Sequence, residues 1–268
     1  MFVVALFLPF QTRPGASPTI LDLDQGFRVW GSLALGPLAM LLTAAAGAWL
    51  LLGRWSLRRA AGLIVAAGLW ATLRGAAVLG ISLFREGEVA PGVGAYLAVA
   101  GGVLVLAAGI AAFARAPTEA GARSRAMCAM TLIAAVGYVV ANLVAAARLS
   151  PRGFEPTDIA VVNLSSPADT LLWEGLLPGV VTIVLLLSAM RILTGTAGGT
   201  GALLMGLGLI TALQFVGILA WASSGAVESL APSAGVALGI VTGVVLFVAG
   251  LLSPTGPAPG PDPTPEPA

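Results

Sequence analysis

Apolar residues in this chain come in long, nearly unbroken runs rather than in alternation. Such runs cover Trp30 to Gly53, Ala60 to Phe84, Ala90 to Ala114, Ala126 to Ala147, Leu172 to Leu193, Gly201 to Ala222 and Ala231 to Leu252. A helix needs about 20 apolar residues to cross the hydrocarbon core, and each of the seven is long enough. Lipid supplies no partner for backbone N–H and C=O groups, so a spanning segment must satisfy its own; runs without a two-residue period do this as helices, not as barrel strands. A shorter run, Phe2 to Phe10 in "MFVVALFLPFQTRPG", reads as the end of a truncated first helix. Beyond Leu252 the pattern stops: in "SPTGPAPGPDPTPEPA", residues 253–268, proline recurs at nearly every second position, which forbids helix and predicts a disordered tail. The expected fold is all-α, a polytopic integral membrane helix bundle of seven full transmembrane helices plus the truncated one.

The runs are related to one another. "APGVGAYLAVAGGVLVLAAGI" from Ala90 and "APSAGVALGIVTGVVLFVAGL" from Ala231 agree at eight of 21 positions without a gap. "GLWATLRGAAVL" from Gly68 aligns with "GLITALQFVGIL" from Gly208 at Gly68, Leu69, Leu73 and Leu79, and Val3, Val4 and Ala5 align with Val139, Val140 and Ala141. Trp30 and Trp173 fall in the same order and read as interfacial anchors. The expectation is a 4+4 parallel internal repeat: 1–115 as the first four-helix unit, 116–125 as a connector, 126–252 as the second unit and 253–268 as the tail. An even number of helices per unit leaves both halves in one orientation, related by a pseudo-twofold along the membrane normal. Since the second unit begins with a complete helix, the first is expected to do so too, with the reading frame starting upstream of Met1.

Composition agrees: 58% of residues are hydrophobic and 9% charged, and the mean hydropathy is +0.98. All 13 basic residues are arginine, and histidine is absent, which removes the commonest general base and metal ligand. No cofactor and no metal site is expected, and a net charge of +1 without a basic patch argues against nucleic acid. The single cysteine, Cys128, lies within an apolar run and reads as a small packed hydrophobe. Loop charges set the orientation: Arg54, Arg58, Arg59, Arg115, Arg123, Arg125 and Arg191 share one side, whereas Arg13, Arg28, Arg85, Arg148 and Arg152 share the other with most of the acids. The arginine-richer side is expected in the cytoplasm, with both termini.

Two constellations lie at membrane depth. Gly94, Ala98 and Gly102 match Gly235, Gly239 and Gly243 in the repeat, and spacing of four places each set on one helix face where backbones can approach. These faces are candidates for a tight helix contact at the pseudo-axis. Arg74 falls in mid-span, where a charge is costly enough to demand compensation. Gln214 holds the matching position, and Tyr138, Asn142, Thr72 and Thr211 add polar groups at similar depth. Arg74, Gln214, Asn142 and Tyr138 are therefore candidate binding residues for an anionic small molecule or lipid headgroup.

Outside the membrane, Asp22 and Asp24 form a D-x-D in the first outer loop, a pair able to hold a divalent cation and a sugar phosphate. In this one respect the chain resembles membrane glycosyltransferases of the polyprenyl-phosphate-sugar class. The resemblance covers three residues, and the chain is short for that class. Three functions follow: a small transporter or lipid-handling permease with a polar site between two halves; a non-catalytic structural or assembly subunit of an envelope membrane complex; and an enzyme using the outer-loop D-x-D, which has the least behind it. Expected partners are the lipid bilayer, an anionic small molecule or lipid, and a membrane protein.

Overall fold

The structure is a computed structural model that describes residues 8, 11–12, 44–49, 52–53, 56–84, 90–116, 125–150, 155–160, 168–195, 199–223 and 230–253. Among these residues six helices dominate: α1 (Leu57–Phe84), α2 (Val93–Arg115), α3 (Arg125–Leu143), α4 (Ala168–Thr194), α5 (Thr200–Ser223) and α6 (Ala234–Leu251), with a further helical segment at 44–49. Among the described residues, Val93–Arg115, Arg125–Leu143, Thr200–Ala220 and Ala234–Leu251 are long and apolar enough to cross a membrane, and Pro178–Thr194 is a shorter apolar helix. At 1.5 Å per residue the 18 to 23 residues of these four rise about 27 to 34 Å, which matches a hydrocarbon core of about 30 Å. The chain is a multi-pass membrane protein. Large apolar side chains face outward along these helices, with Ile133 at 68% and Val136 at 65% exposure on α3 and Val241 at 57% on α6. Such a surface suits lipid and would be a liability in water.

Glycine sets how the helices pair. α1 and α2 form an antiparallel hairpin in which a Cβ on Gly68 would strike the backbone of Leu106, and one on Gly102 would strike the backbone of Thr72. The α5–α6 hairpin repeats this register: Gly208 lies against the backbone of Phe247, and Gly243 against that of Ala212. Where lipid is as apolar as leucine, close backbone approach is a principal source of helix attraction, and only a missing side chain permits it. The glycine faces expected to meet each other at a pseudo-axis are used differently. Gly102 closes onto α1, while Gly239, against the Phe215 ring, and Gly243 close onto α5; each hairpin seals its own stripe because its partner is held near by a short connection.

The remaining helices wrap these hairpins. α3 packs on α4 and α6, with Gly137 facing Thr242, and α1 lies against α4 and α5, with Gly206 of α5 facing Ala66. The core gathers Trp70 of α1, Tyr138 and Ala141 of α3, Leu185 and Ile192 of α4, Leu204, Leu207 and Phe215 of α5 and Leu246 of α6. α2 stays peripheral to it, touching it through Leu106. Buried and half-buried hydroxyls bond within their own helices: Thr131 donates to the Met127 carbonyl at 2.8 Å, Ser188 to Val184 at 2.8 Å and Thr72 to Gly68 at 2.7 Å.

The all-α expectation needs amending at one end of the bundle, where short strands join the helices. β1 (Gln11–Thr12) pairs antiparallel with β2 (Ala90–Pro91), and β3 (Ala145–Leu149) lies between β4 (Thr157–Ala160) and β5 (Leu230–Pro232). The span read as Ala126 to Ala147 ends at Leu143, because "AAARL" is drawn into ladders on both sides. Both Ala-Pro pairs open a helix in the same way: Thr12 faces Ala90 and Gln11 faces Pro91, as Arg148 faces Ala231 and Ala147 faces Pro232.

Candidate functional site

A cavity of about 610 Å³ opens between the α1–α2 hairpin and the α4–α5 pair. Gly62 and Val65 of α1 and Ile110, Phe113 and Ala114 of α2 form one wall; Val184, Leu187 and Ser188 of α4 and Leu203 of α5 form most of the other. Apart from Ser188, whose hydroxyl donates to the Val184 carbonyl, its polar lining gathers at one end, at Arg191, Thr194 and Thr200. Helix directions explain the grouping. The beginnings of α1 and α5 and the ends of α2 and α4 fall at one level of the bundle, which brings residues distant in sequence to one mouth. Small residues bring the helices together at this level: a Cβ on Gly62 would meet the Gly199 carbonyl at 2.7 Å, so α1 touches the start of α5 beside the mouth.

The α4–α5 turn shapes the mouth. Gly195 and Gly199 adopt φ of 76° and 79°, a left-handed conformation open to glycine at little cost. A side chain on Gly199 would collide with the Cγ of Arg58 and the ring of Phe113, each 2.8 Å from the Cβ position. Arg58 is buried, and its Nη1 donates to the carbonyl of Ala116, the residue that ends α2, at 3.3 Å. Its guanidinium carbon lies 4.5 Å from the centre of the Phe113 ring, and that of Arg191 lies 5.5 Å from the same centre. Both distances fall within cation–π range, so one ring organises two positive charges at the end of an apolar cavity. Chemically, the arrangement can accept an amphiphile whose negative end meets Arg191 and whose apolar part lies along Val184, Leu187 and Leu203.

The residues expected to bind lie elsewhere. Tyr138 and Asn142 sit one turn apart on α3, both buried, and the Asn142 amide donates to the Tyr138 carbonyl at 2.7 Å. The Asn142 Oδ1 and the Trp70 Nε1 are buried without a hydrogen-bond partner among the described residues. Gln214 and Thr211 are buried on α5, and Arg74 lies on α1, the helix packed beside it; the Arg74 side chain lies outside the described residues. Tyr138 and Asn142 thus belong to the α3–α4–α6 packing, whereas Arg74 and Gln214 belong to helices of the α1–α5 contact. None of the described candidates lines the cavity. Gly94, Ala98, Gly235, Gly239 and Gly243 are all buried. Asp22 and Asp24 lie outside the described residues, as do Trp30 and the segment 254–268.

Sequence reasoning missed the role of Arg191 in the cavity, and of Arg58 beside it, by counting both only as loop charges. One signal was present: Arg191 interrupts the apolar text "LLLSAMRILT" before the helix ends. No family model, no curated protein and no solved structure matches the chain.

Proposed function

We propose that this protein is a lipid-handling permease or small transporter of the cell membrane, built as a 4+4 parallel repeat with seven full spans, with the arginine-richer side and both termini in the cytoplasm. The cavity between α1–α2 and α4–α5 carries this reading, because it is apolar along its length and positively charged at one end. The repeat is supported by the shared glycine registers. Gly68 and Gly208 lie against Leu106 and Phe247, Gly102 and Gly243 against Thr72 and Ala212, and both Ala-Pro strands pair in the same sense. Two like halves flanking a cavity are a frequent plan for proteins that move a ligand across a bilayer.

Lipid access to the cavity tests the proposal. A bimane fluorophore on cysteine at Leu203→Cys, in a Cys128→Ser background, is expected to be quenched in vesicles of brominated phosphatidylcholine, as is one at the outward-facing Ile133→Cys. Quenching at Ile133→Cys alone would overturn the reading. It would favour the alternative, a structural or assembly subunit of an envelope complex, which draws its support from Thr131, Ser188 and Thr72 spending their hydroxyls inside their own helices.

A further inference from the structure

We infer that the cavity selects a phospholipid with an anionic headgroup, its phosphate held at Arg191 and one acyl chain lying between α2 and α4; the inference rests on the lipid-handling reading above. From Arg191, where the phosphate is held, the lining of α4 runs back to Val184, seven rises or about 10 Å of helix, which takes the upper part of one acyl chain. Burying that chain cannot supply selectivity, because it passes from one apolar medium to another and gains no hydrophobic free energy. Discrimination falls to the polar end. There Arg191 lines the cavity, and its planar fork of donors suits phosphate oxygens.

Arg58 acts one step removed. It does not line the cavity; it is held by the Ala116 carbonyl and by Phe113, the ring that Arg191 also approaches. Its charge adds to the positive potential at the mouth, and it keeps Phe113 placed against Arg191. Arg58 is a positioning residue and Arg191 the contact. The level is right for a headgroup: Arg191 lies in the last turn of α4, near the helix end, where the bilayer becomes polar. Charge complementarity therefore points to an anionic lipid over a zwitterionic one, whose ammonium would be brought toward two guanidinium groups.

The chain labelled with bimane at Leu203→Cys in the Cys128→Ser background, reconstituted into vesicles with varying fractions of brominated lipid, reads this selectivity. Brominated phosphatidylglycerol should reach half-maximal quenching at about a tenfold lower mole fraction than brominated phosphatidylcholine, the scale of one like-charge repulsion between ammonium and guanidinium at a partly screened site. Arg191→Gln should abolish the preference while quenching by both lipids persists, and Arg191→Lys should retain part of it. Arg115→Gln, which removes an exposed arginine from the end of α2 outside the cavity, should leave the preference unchanged. Equal quenching by the two lipids, or a preference that survives Arg191→Gln, would overturn the inference and leave the lipid-accessible cavity standing. Absence of quenching by either lipid would remove both. Loss of the preference on adding millimolar inorganic phosphate would also overturn it, since the site would then be one for free anions.

Discussion

Single residues in this protein act mainly by what they omit. Gly68, Gly102, Gly208 and Gly243 each lie where a methyl group would meet a neighbouring backbone, which has little room to yield inside a hairpin. Gly102→Ala and Gly243→Ala should therefore each destabilise the protein by about 1–3 kcal/mol, the usual scale of overpacking. Paired registers predict losses of similar size in the two hairpins. Gly179 on α4 has no atom within 4 Å of its Cβ position, so Gly179→Ala should be neutral or stabilising by up to about 1 kcal/mol. Thermal unfolding in detergent checks both, and a Gly243→Ala variant as stable as Gly179→Ala would contradict the packing argument.

Among the elements, β3 departs furthest from its sequence pattern. Its text continues an apolar helix, yet it lies centrally between β4 and β5, with Arg148 opposite Asp158 on one side and Ala231 on the other. The Arg148–Asp158 ion pair, 3.5 Å apart and well exposed, adds little stability, so backbone ladders hold the strand. Proline breaks such ladders in a central strand and is better tolerated at an edge. Arg148→Pro should thus lower the unfolding midpoint clearly, while Asp158→Pro on edge strand β4 should cost less. The reverse order would show that β3 does not lie between two neighbours.

At the scale of the whole molecule, the strands and the cavity mouth occupy opposite ends of the bundle. β3 follows the end of α3, whereas Arg58 opens α1 and Arg191 closes α4. Under the proposed orientation, cysteine at Asp158→Cys in a Cys128→Ser background reacts with a membrane-impermeant maleimide on intact cells, and Arg115→Cys reacts only after lysis. The opposite result would invert the topology and place the cavity mouth outside.

The membrane setting was legible in the sequence because insertion depends on hydropathy summed over about 20 consecutive residues, a local quantity. The likeness of Gly68 to Gly208 and of Ala90 to Ala231 was legible as text, whereas which neighbouring backbone each glycine approaches was not. Tertiary structure alone decided that "AAARL" becomes a strand: an alanine run has no strong preference of its own, and the partners that claim it, Thr157–Ala160 and Leu230–Pro232, lie elsewhere in the chain. It alone decided the cavity as well. Phe113 and Arg191 are far apart in sequence and meet only because α2 and α4 end at the same level, and a cavity is a volume bounded by several helices, which no single segment encodes.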